Sequence, residues 1–400
     1  MIFIPKIFDM SSKLNISVIG GAGHIGLPLS CFFQIKGHQV NVIDKNLTAL
    51  EKASKGTPPF YEKNFKENLQ SANNLGLNYK SDIETIKDSN IVFITLGTSS
   101  EDVDIELFDN VLEEVISNIS KESILILRST ITHETILKVK NNSIFMEKKL
   151  LLAYCPERIA EGFAFEELEK IPQIIGVKNS NDFEIVSKFF ISCGLETIHT
   201  TFEEAVFTKL FSNTYRYAEF SLINEFSNIA KKHNIDFDKI KHFSTYKYDR
   251  LSKLPKTGYV GGPCLPKDTK TFTHSYPVID DILSKFIRTN DQFLDGIVND
   301  CINKFTTKNI IQFGITFKEN SDDLRSSGAF KLYEKLIENN FDVYVVEPNL
   351  AIGISDYGFE NYRFEDIKQI TDNIIFAVDH NEFKLYPTDL NNKSIIYAHS

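Results

Sequence analysis

An α/β protein with two parallel-sheet blocks and one long helix between them is what this sequence predicts, and three observations carry the prediction. Short apolar runs alternate with helix-length amphipathic stretches through the first 200 residues, and the alternation returns after Lys308. The stretch from Thr201 to Lys232 has no proline and keeps an apolar pattern of helical period. Finally, 400 residues exceed what one hydrophobic core serves, so several domains are expected, divided as 1–200, 201–304 and 305–400.

The first block opens on Asn15-Ile-Ser-Val-Ile-Gly20, a β-rich run leading into Gly21-Ala-Gly23-His-Ile-Gly26, an apolar stretch to Lys36, and Gly37, where a helix would stop. A second strand, Gln39-Val-Asn-Val-Ile-Asp44, ends on an acid about twenty residues after the glycines. Gly21, Gly23 and Gly26 permit a tight turn and bring a pyrophosphate to the helix N-terminus, whose N–H groups favour negative charge. Alone, G-x-G-x-x-G describes many glycine turns. Strand, helix, second strand and terminal Asp44 in this order make it a dinucleotide-binding, Rossmann-like unit. Asp44 would hold the ribose and, by repelling a 2′-phosphate, selects NAD over NADP.

Three further runs, Asn90–Leu96, Ser123–Leu127 and Leu150–Tyr154, end in Gly97-Thr98, Arg128-Ser129-Thr130 and Cys155-Pro-Glu157-Arg158-Ile-Ala-Glu161-Gly162. Ligands of open parallel sheets bind beyond the carboxyl ends of the strands, so these clusters are expected to share one crevice. Each cluster by itself also reads as ordinary turn chemistry, with Ser and Thr as caps and Glu157 as a solvated charge.

Thr201-Phe-Glu-Glu204 has capping-box spacing and starts the long helix. Lys209 and Asn213, four apart, project from one face. Among Val206, Leu210, Phe211 and Tyr217, Lys209 either runs its charge out to solvent or faces a polar site. So long and apolar a helix suits a central spine or a dimer interface. Beyond it lies a loop, Gly258-Tyr-Val-Gly261-Gly262-Pro-Cys264-Leu-Pro-Lys267-Asp268-Thr269. Gly261 and Gly262 allow close approach to a ligand or a positive φ, while Pro263 and Pro266 stiffen both sides of the cysteine. That is a seat for a nucleophile, although a lone cysteine is more often a small buried apolar residue.

Helical sequence resumes from Ile279 to Lys304, and Lys308–Phe317 opens the second block. An amphipathic stretch from Gly328 to Asn339 and strands at Asp342–Glu347, Asn373–Val378 and Lys393–Tyr397 follow. The first strand runs into Lys318-Glu-Asn-Ser-Asp322-Asp323-Leu-Arg325-Ser-Ser327 with no glycine fingerprint. This block therefore suits an anion at Lys318 and Arg325 rather than a dinucleotide, unless the segment is a charged surface loop.

Composition narrows the partners. A net charge of -10 argues against nucleic acid. Five cysteines without C-x-x-C spacing fit neither a disulfide framework nor a metal site. Met1–Phe8 is too short for a signal peptide and no run is long enough to span a bilayer, so a cytoplasmic protein with no membrane partner is expected.

These residues together make the chain resemble the UDP-glucose/GDP-mannose dehydrogenase family of nucleotide-sugar 6-dehydrogenases, over nearly everything after Asn15. The family's Lys and Asn four apart on the central helix, and its Cys and Asp four apart in a G-G-x-C-L-P-K-D loop, fall on Lys209, Asn213, Cys264 and Asp268. Its P-E-x-x-x-E-G segment is Pro156–Gly162, its S-T pair Ser129-Thr130, and its F-K-x-x-x-D-D-x-R-x-S segment Phe317–Ser327. The resemblance implies two Rossmann-like domains joined by a central helical domain with a long spine helix, a homodimer through that helix, NAD as cofactor and a UDP-sugar as substrate. It implies four-electron oxidation of the sugar C6 alcohol to a uronic acid through a thiohemiacetal and a thioester on Cys264. Lys209 and Asn213 would stabilise the oxyanion, and Thr130, Glu157, Glu161 and Asp268 would surround a water and handle protons. Gly261, Lys318 and Arg325, with Glu157, Lys209 and Asn213, would bind the substrate. Thr98, Ser129 and Thr130 would complete the cofactor site.

The chain departs from the family at Leu96-Gly97-Thr98-Ser99, where V-P-T-P is usual, and at Pro263, where a Ser or His often precedes the nucleophile. Cys155-Pro-Glu-Arg158 is similar to members acting on N-acetylhexosamines, whereas Leu265-Pro-Lys-Asp268 is similar to UDP-glucose enzymes. UDP-N-acetyl-mannosamine or UDP-N-acetyl-glucosamine, oxidised for surface polysaccharide precursors, is the expected substrate, with UDP-glucose the alternative. A β-hydroxyacid dehydrogenase-like enzyme transferring one hydride, and a sugar-nucleotide sensor without turnover, are the rival readings.

Overall fold

The computed structural model describes residues 13–98, 102–278, 281–385 and 393–398. The expected N-terminal extension at 1–12, Ser99, and Ile279 at the start of the second helical stretch lie outside them. The chain forms two compact units, Met1–Phe211 and Ser212–Ser400.

In the first unit the glycine-led stretch folds as β1 (Asn15–Ile19), α1 (Gly26–Ile35) and β2 (Gln39–Ile43). Then come α2 (Leu47–Ser54), α3 (Phe65–Asn74) and β3 (Asn78–Lys80), a strand of three residues too short and polar to read from the sequence. The three apolar runs become β4 (Ile91–Ile94), β5 (Ile124–Leu127) and β6 (Leu151–Tyr154). Between them lie α4 (Asp102–Asn118), α5 (His133–Asn141) and α6 (Ser143–Glu147). Every residue of these three strands is buried, as continuous apolar runs require in a sheet covered on both faces. The unit continues through α7 (Ala164–Leu168), β7 (Gln173–Gly176), α8 (Ser180–Ser192) and β8 (Thr197–Thr200).

The sheet order is β3-β2-β1-β4-β5-β6-β7-β8, and all neighbours are parallel except β6 and β7. The strands expected from the sequence in this block end at the β6 run and do not include β7. Helix α7 has only 5 residues, too few to carry the chain back along the sheet, so β7 returns antiparallel. Phenylalanine fills the core in a chain that has no tryptophan: the Phe33 ring lies 5.1 Å from those of both Phe93 and Phe189.

The long helix is α9 (Phe202–Lys232), 31 residues and so about 46 Å. Its capping box is reciprocal. Glu204 N donates to Thr201 Oγ1 at 3.2 Å, and Thr201 N donates to Glu204 Oε2 at 3.0 Å. Such a cap contributes about 1 kcal/mol.

In the second unit α10 (Phe237–Thr245) precedes the cysteine segment, which is shorter than the sequence suggests. Helix α11 (Leu265–Ser275) begins directly after Cys264, so Pro266, Lys267, Asp268 and Thr269 are helical. Pro266 belongs in the first turn because an N–H there has no intrahelical acceptor to lose. After α12 (Ile282–Lys304) come β9 (Asn309–Phe313), α13 (Gly328–Glu338) and β10 (Asp342–Val346). They are followed by β11 (Gly353–Ile354), β12 (Glu360–Asn361), α14 (Phe364–Ile367), β13 (Asn373–Phe376) and β14 (Ser394–Tyr397).

The second sheet runs β11-β12-β10-β9-β13-β14. Its four main strands are parallel, and the antiparallel pair β11–β12 was not foreseen from the sequence. Both sheets reverse strand order beside their first strand, between β1 and β4 and between β9 and β13. Such reversals open the crevice in which α/β sheets bind ligands. Among the described residues no helix is long and apolar enough to cross a membrane.

Candidate active site

At the β1/β4 reversal the three glycines answer to different constraints. A Cβ on Gly21 would lie 2.6 Å from Val18 O, and one on Gly26 2.3 Å from Gly20 O, so backbone packing demands both. The nearest atom to a Cβ on Gly23 would be Gly20 O at 3.4 Å, which leaves that side of the turn open for a pyrophosphate. Asp44 ties the second strand to the turn: Oδ2 accepts from Ala22 N at 3.0 Å and Oδ1 from Asn46 N at 2.9 Å. Beside it a cavity of about 190 Å³ is lined by Gly20, Asp44, Leu96, Gly97, Phe108 and Val111. An apolar slot next to a carboxylate matches an adenine next to a ribose diol, so these residues fit NAD. Thr98 Oγ1 donates to Thr130 O at 2.8 Å and joins the loops after β4 and β5, while Ser129 is buried.

Glu157 is not the solvated loop charge that turn chemistry suggests. Arg128, only 2 % exposed, donates from Nε to Glu157 Oε2 at 3.0 Å and from Nη2 to the same oxygen. Its Nη1 donates to Gln173 Oε1 at 2.9 Å. Glu157 Oε1 accepts from the N–H of Arg158 at 2.8 Å and of Ile159 at 3.1 Å. Burial pushes the carboxyl up, but the Arg128 charge and these hydrogen bonds outweigh it and hold the group below the ordinary carboxylate range. Removing one partner of such a buried pair costs about 3–5 kcal/mol. At the far end of the segment, Glu161 Oε1 lies 3.8 Å from Nδ1 of His24, which the sequence offered only as a spacer in the glycine turn. Lys209 is buried, so of its two sequence readings the solvated ammonium is the one set aside.

In the second unit Cys264 differs from the other cysteines. Burial pushes the thiol of Cys193 up to about 11 and those of Cys155 and Cys301 up to about 12, and it raises Cys31 as well. Cys264 is exposed. Its seat is held at three points. Asn224 of α9 donates to Gly258 O at 2.7 Å and accepts from Gly258 N at 2.9 Å. Asn290 of α12 donates to Val260 O at 3.0 Å and accepts from Val260 N at 2.8 Å. Gly262 N donates to Ser326 O at 3.0 Å. A Cβ on Gly261 would sit 2.6 Å from Ser326 O, and Gly262, at φ +87°, would place one 2.6 Å from Phe317. The close approach these glycines allow is thus to the 317–327 segment. Asp268, wholly buried, donates its N–H to Cys264 O at 2.8 Å and accepts from Asn213 Nδ2 at 2.6 Å through Oδ2. Lys267 Nζ stands 3.5 Å from Asp268 Oδ1.

A cavity of about 500 Å³ lies at the β9/β13 reversal, and its walls include Arg216, Lys256, Gly261, Leu265, Phe317 and Lys318. Cations beside an aromatic wall suit a nucleoside diphosphate. Arg216 and Lys256 were missed in the sequence; the available signal was that Arg216 follows Asn213 by three on one helical face. Arg325 lies outside this lining, with Nε donating to both oxygens of Asp323 at 3.0 and 2.9 Å. Glu347 at the end of β10 repeats the latch of Asp44: Oε2 accepts from Ile315 N at 2.9 Å and Oε1 from Asn349 N at 3.1 Å. Here, however, His380 Nε2 is 3.0 Å from Oε2 and both side chains are wholly buried, so the carboxylate cannot serve as a ribose clamp.

Three family models match the chain in succession. They describe the NAD binding domain of the UDP-glucose/GDP-mannose dehydrogenase family over residues 14–193, its central domain over 203–292 and its UDP binding domain over 312–397. The chain belongs to the UDP-glucose/GDP-mannose dehydrogenase family. It is an NAD-dependent nucleotide-sugar 6-dehydrogenase. The UDP binding domain separates this dehydrogenase from the single-hydride rival. Its relatives include the UDP-N-acetyl-D-mannosamine dehydrogenase of Methanococcus vannielii, 28% identical over 96% of this chain and 92% of that one. The UDP-glucose 6-dehydrogenase of Rickettsia bellii is 27% identical over 93% and 90%. The fold is that of a UDP-glucose dehydrogenase from Pyrobaculum islandicum, with a TM-score of 0.85 at 21% identity over 100% of this chain and 96% of that one. In this family member the 500 Å³ cavity draws its walls from the segments matched by the central and UDP binding domains.

Proposed function

We propose that this dehydrogenase oxidises C6 of a UDP-N-acetylhexosamine, UDP-N-acetyl-mannosamine or UDP-N-acetyl-glucosamine, to the uronic acid for surface polysaccharide precursors, with Cys264 as the covalent centre. One observation carries the chemistry: the exposed thiol of Cys264 stands at the start of α11, one turn before an aspartate that is buried against Asn213. The sugar class is supported by Cys155-Pro-Glu-Arg158 and by the name of the relative at 28% identity.

Bound NAD⁺ supplies the acceptor for the C6 hydride in each of the two oxidations. The first removes the hydroxyl proton with the hydride and leaves an aldehyde. Cys264 Sγ then forms a bond to C6, the carbonyl oxygen takes up a proton, and a thiohemiacetal results. The second oxidation removes the remaining hydride and the hydroxyl proton to give a thioester, and water cleaves the C–S bond, releasing the carboxylate and the thiol. In sum, one alcohol, one water and two NAD⁺ give one carboxylate, two NADH and three protons. Lys209 and Asn213 stabilise oxygen as charge develops on it, which preorganised donors do most strongly where water is scarce. Asp268 and Glu161 exchange the protons, with Thr130 and Glu157 completing the polar surroundings of the water. Lys318, Arg216 and Lys256 hold the diphosphate, with Arg325 on the same Phe317–Ser327 segment as Lys318, and Gly261 forms part of the wall.

The division into 1–200, 201–304 and 305–400 belongs to this reading and is supported by the three matched segments. So does a cytoplasmic homodimer through α9, supported by an exposed stripe of Phe211, Tyr215, Leu222 and Phe226 along the helix.

The test is a panel of UDP-N-acetyl-mannosamine, UDP-N-acetyl-glucosamine, UDP-N-acetyl-galactosamine and UDP-glucose with NAD⁺, read by NADH absorbance. One of the first two is expected to give the highest kcat/KM; preference for UDP-glucose would replace the sugar assignment. For Lys209→Ala, kcat is expected to fall by about 100-fold or more while the sugar-nucleotide KM moves less than about threefold. A change confined to KM would reduce Lys209 to a binding residue.

A further inference from the structure

The Arg128 side chain has no part in the chemistry above, yet it is more buried than the Glu157 carboxylate that it holds from the end of β5. We propose that Arg128 is a positioning residue for the dehydrogenation: by clamping Glu157 it sets the course of residues 157–161, and Glu157 anchors that segment instead of exchanging a proton. The proposal rests on the reading of Glu161 as a site residue.

The geometry leaves Glu157 little freedom. Oε2 takes two donors from one guanidinium and Oε1 takes the N–H groups of Arg158 and Ile159, so the carboxylate folds its own loop around itself. A carboxylate with both oxygens engaged must break a charge-assisted hydrogen bond before it can receive a proton. Among the described residues the other charged or titratable groups facing it are Arg158 and the buried thiol of Cys155. The third Arg128 contact reaches Gln173, the first residue of β7. Arg128 therefore joins the end of β5, the loop after β6 and the start of β7 at the antiparallel junction of the sheet. The next two residues are Ser129 and Thr130, and Thr130 O accepts from Thr98 Oγ1. One guanidinium thus supports the strand end assigned to the cofactor and the loop that carries Glu161.

The experiment compares Arg128→Met, Arg128→Lys, Glu157→Gln and the double variant Arg128→Met/Glu157→Gln in the full chain. Turnover, the NADH dissociation constant from its fluorescence, and Tm are measured. Arg128→Met is expected to lose about 100-fold in kcat, with NADH binding within about threefold of wild type, because misplacing a site by 1 Å is worth a factor of that size. Arg128→Lys should recover part of the loss, and Glu157→Gln, which keeps the shape and two of the four hydrogen bonds, should retain at least about a tenth of wild-type kcat. The double variant leaves neither buried charge alone, so it should melt above Arg128→Met yet remain about 100-fold slow.

A double variant turning over like wild type, or a Glu157→Gln variant slower than Arg128→Met, overturns the proposal. So does an acid limb of the kcat profile that moves to higher pH in Arg128→Met, since that would show Glu157 titrating during turnover. Wild-type stoichiometry is the separate control. One NADH per sugar would sink the four-electron reading, while the Arg128 comparison would still be read on the first hydride.

Discussion

Cys264→Ser is expected to abolish complete turnover while sugar-nucleotide binding survives. The substitution removes one sulfur at an exposed position, so the fold has little reason to respond. A serine hydroxyl without a dedicated base is a far weaker nucleophile than a thiolate, and the loss in uronic acid formation should be on the order of 1,000-fold or more. None of the other cysteines can substitute. Cys31, Cys155, Cys193 and Cys301 are buried, and burial raises every one of their thiols. The measurement is NADH released per sugar together with a binding isotherm for the UDP-sugar. A variant that still yields acid with two NADH per sugar would falsify the thioester route.

Asp268→Asn is expected to produce the second largest loss. Asparagine keeps the shape and removes the charge, so it tests the carboxylate itself. The residue is fully buried in the first turn of α11 and within 2.6 Å of Asn213 Nδ2. Without the charge the helix loses an acid near its N-terminus, about 0.3–1 kcal/mol, which Tm will register as a small shift. Loss of a proton-exchanging group is larger, about 100- to 10,000-fold in kcat. If kcat stays within about tenfold of wild type and only KM rises, Asp268 is a structural partner of Asn213, and proton transfer belongs to Glu161.

Features decided by neighbours in sequence are legible in the chain alone. The glycine turn and Asp44 are joined by contacts within one βαβ unit, and Thr201 caps Glu204 three residues away. The cysteine loop is half legible. Its glycines and prolines mark a constrained turn, but the helix starting at Leu265 is hidden because Pro266 looks like a breaker until its place in the first turn is known. The short strands β3 and β8 are not visible, since three or four largely polar residues carry no alternation.

By itself, then, the sequence determined the two α/β blocks, the spine helix, the NAD fingerprint and the residues of the family motifs, because local periodicity and fixed spacings encode them. Only the tertiary structure decided how those residues are held. Asn224 and Asn290 clamp the cysteine segment from 34 and 30 residues away, and Arg128 reaches Glu157 across 29. Glu347 resembles Asp44 in position but loses its ribose-binding face to His380, 33 residues on. No spacing rule foretells such partners. Packing chooses them, because a buried polar group must be paired, and which group pairs it depends on what the fold brings within reach.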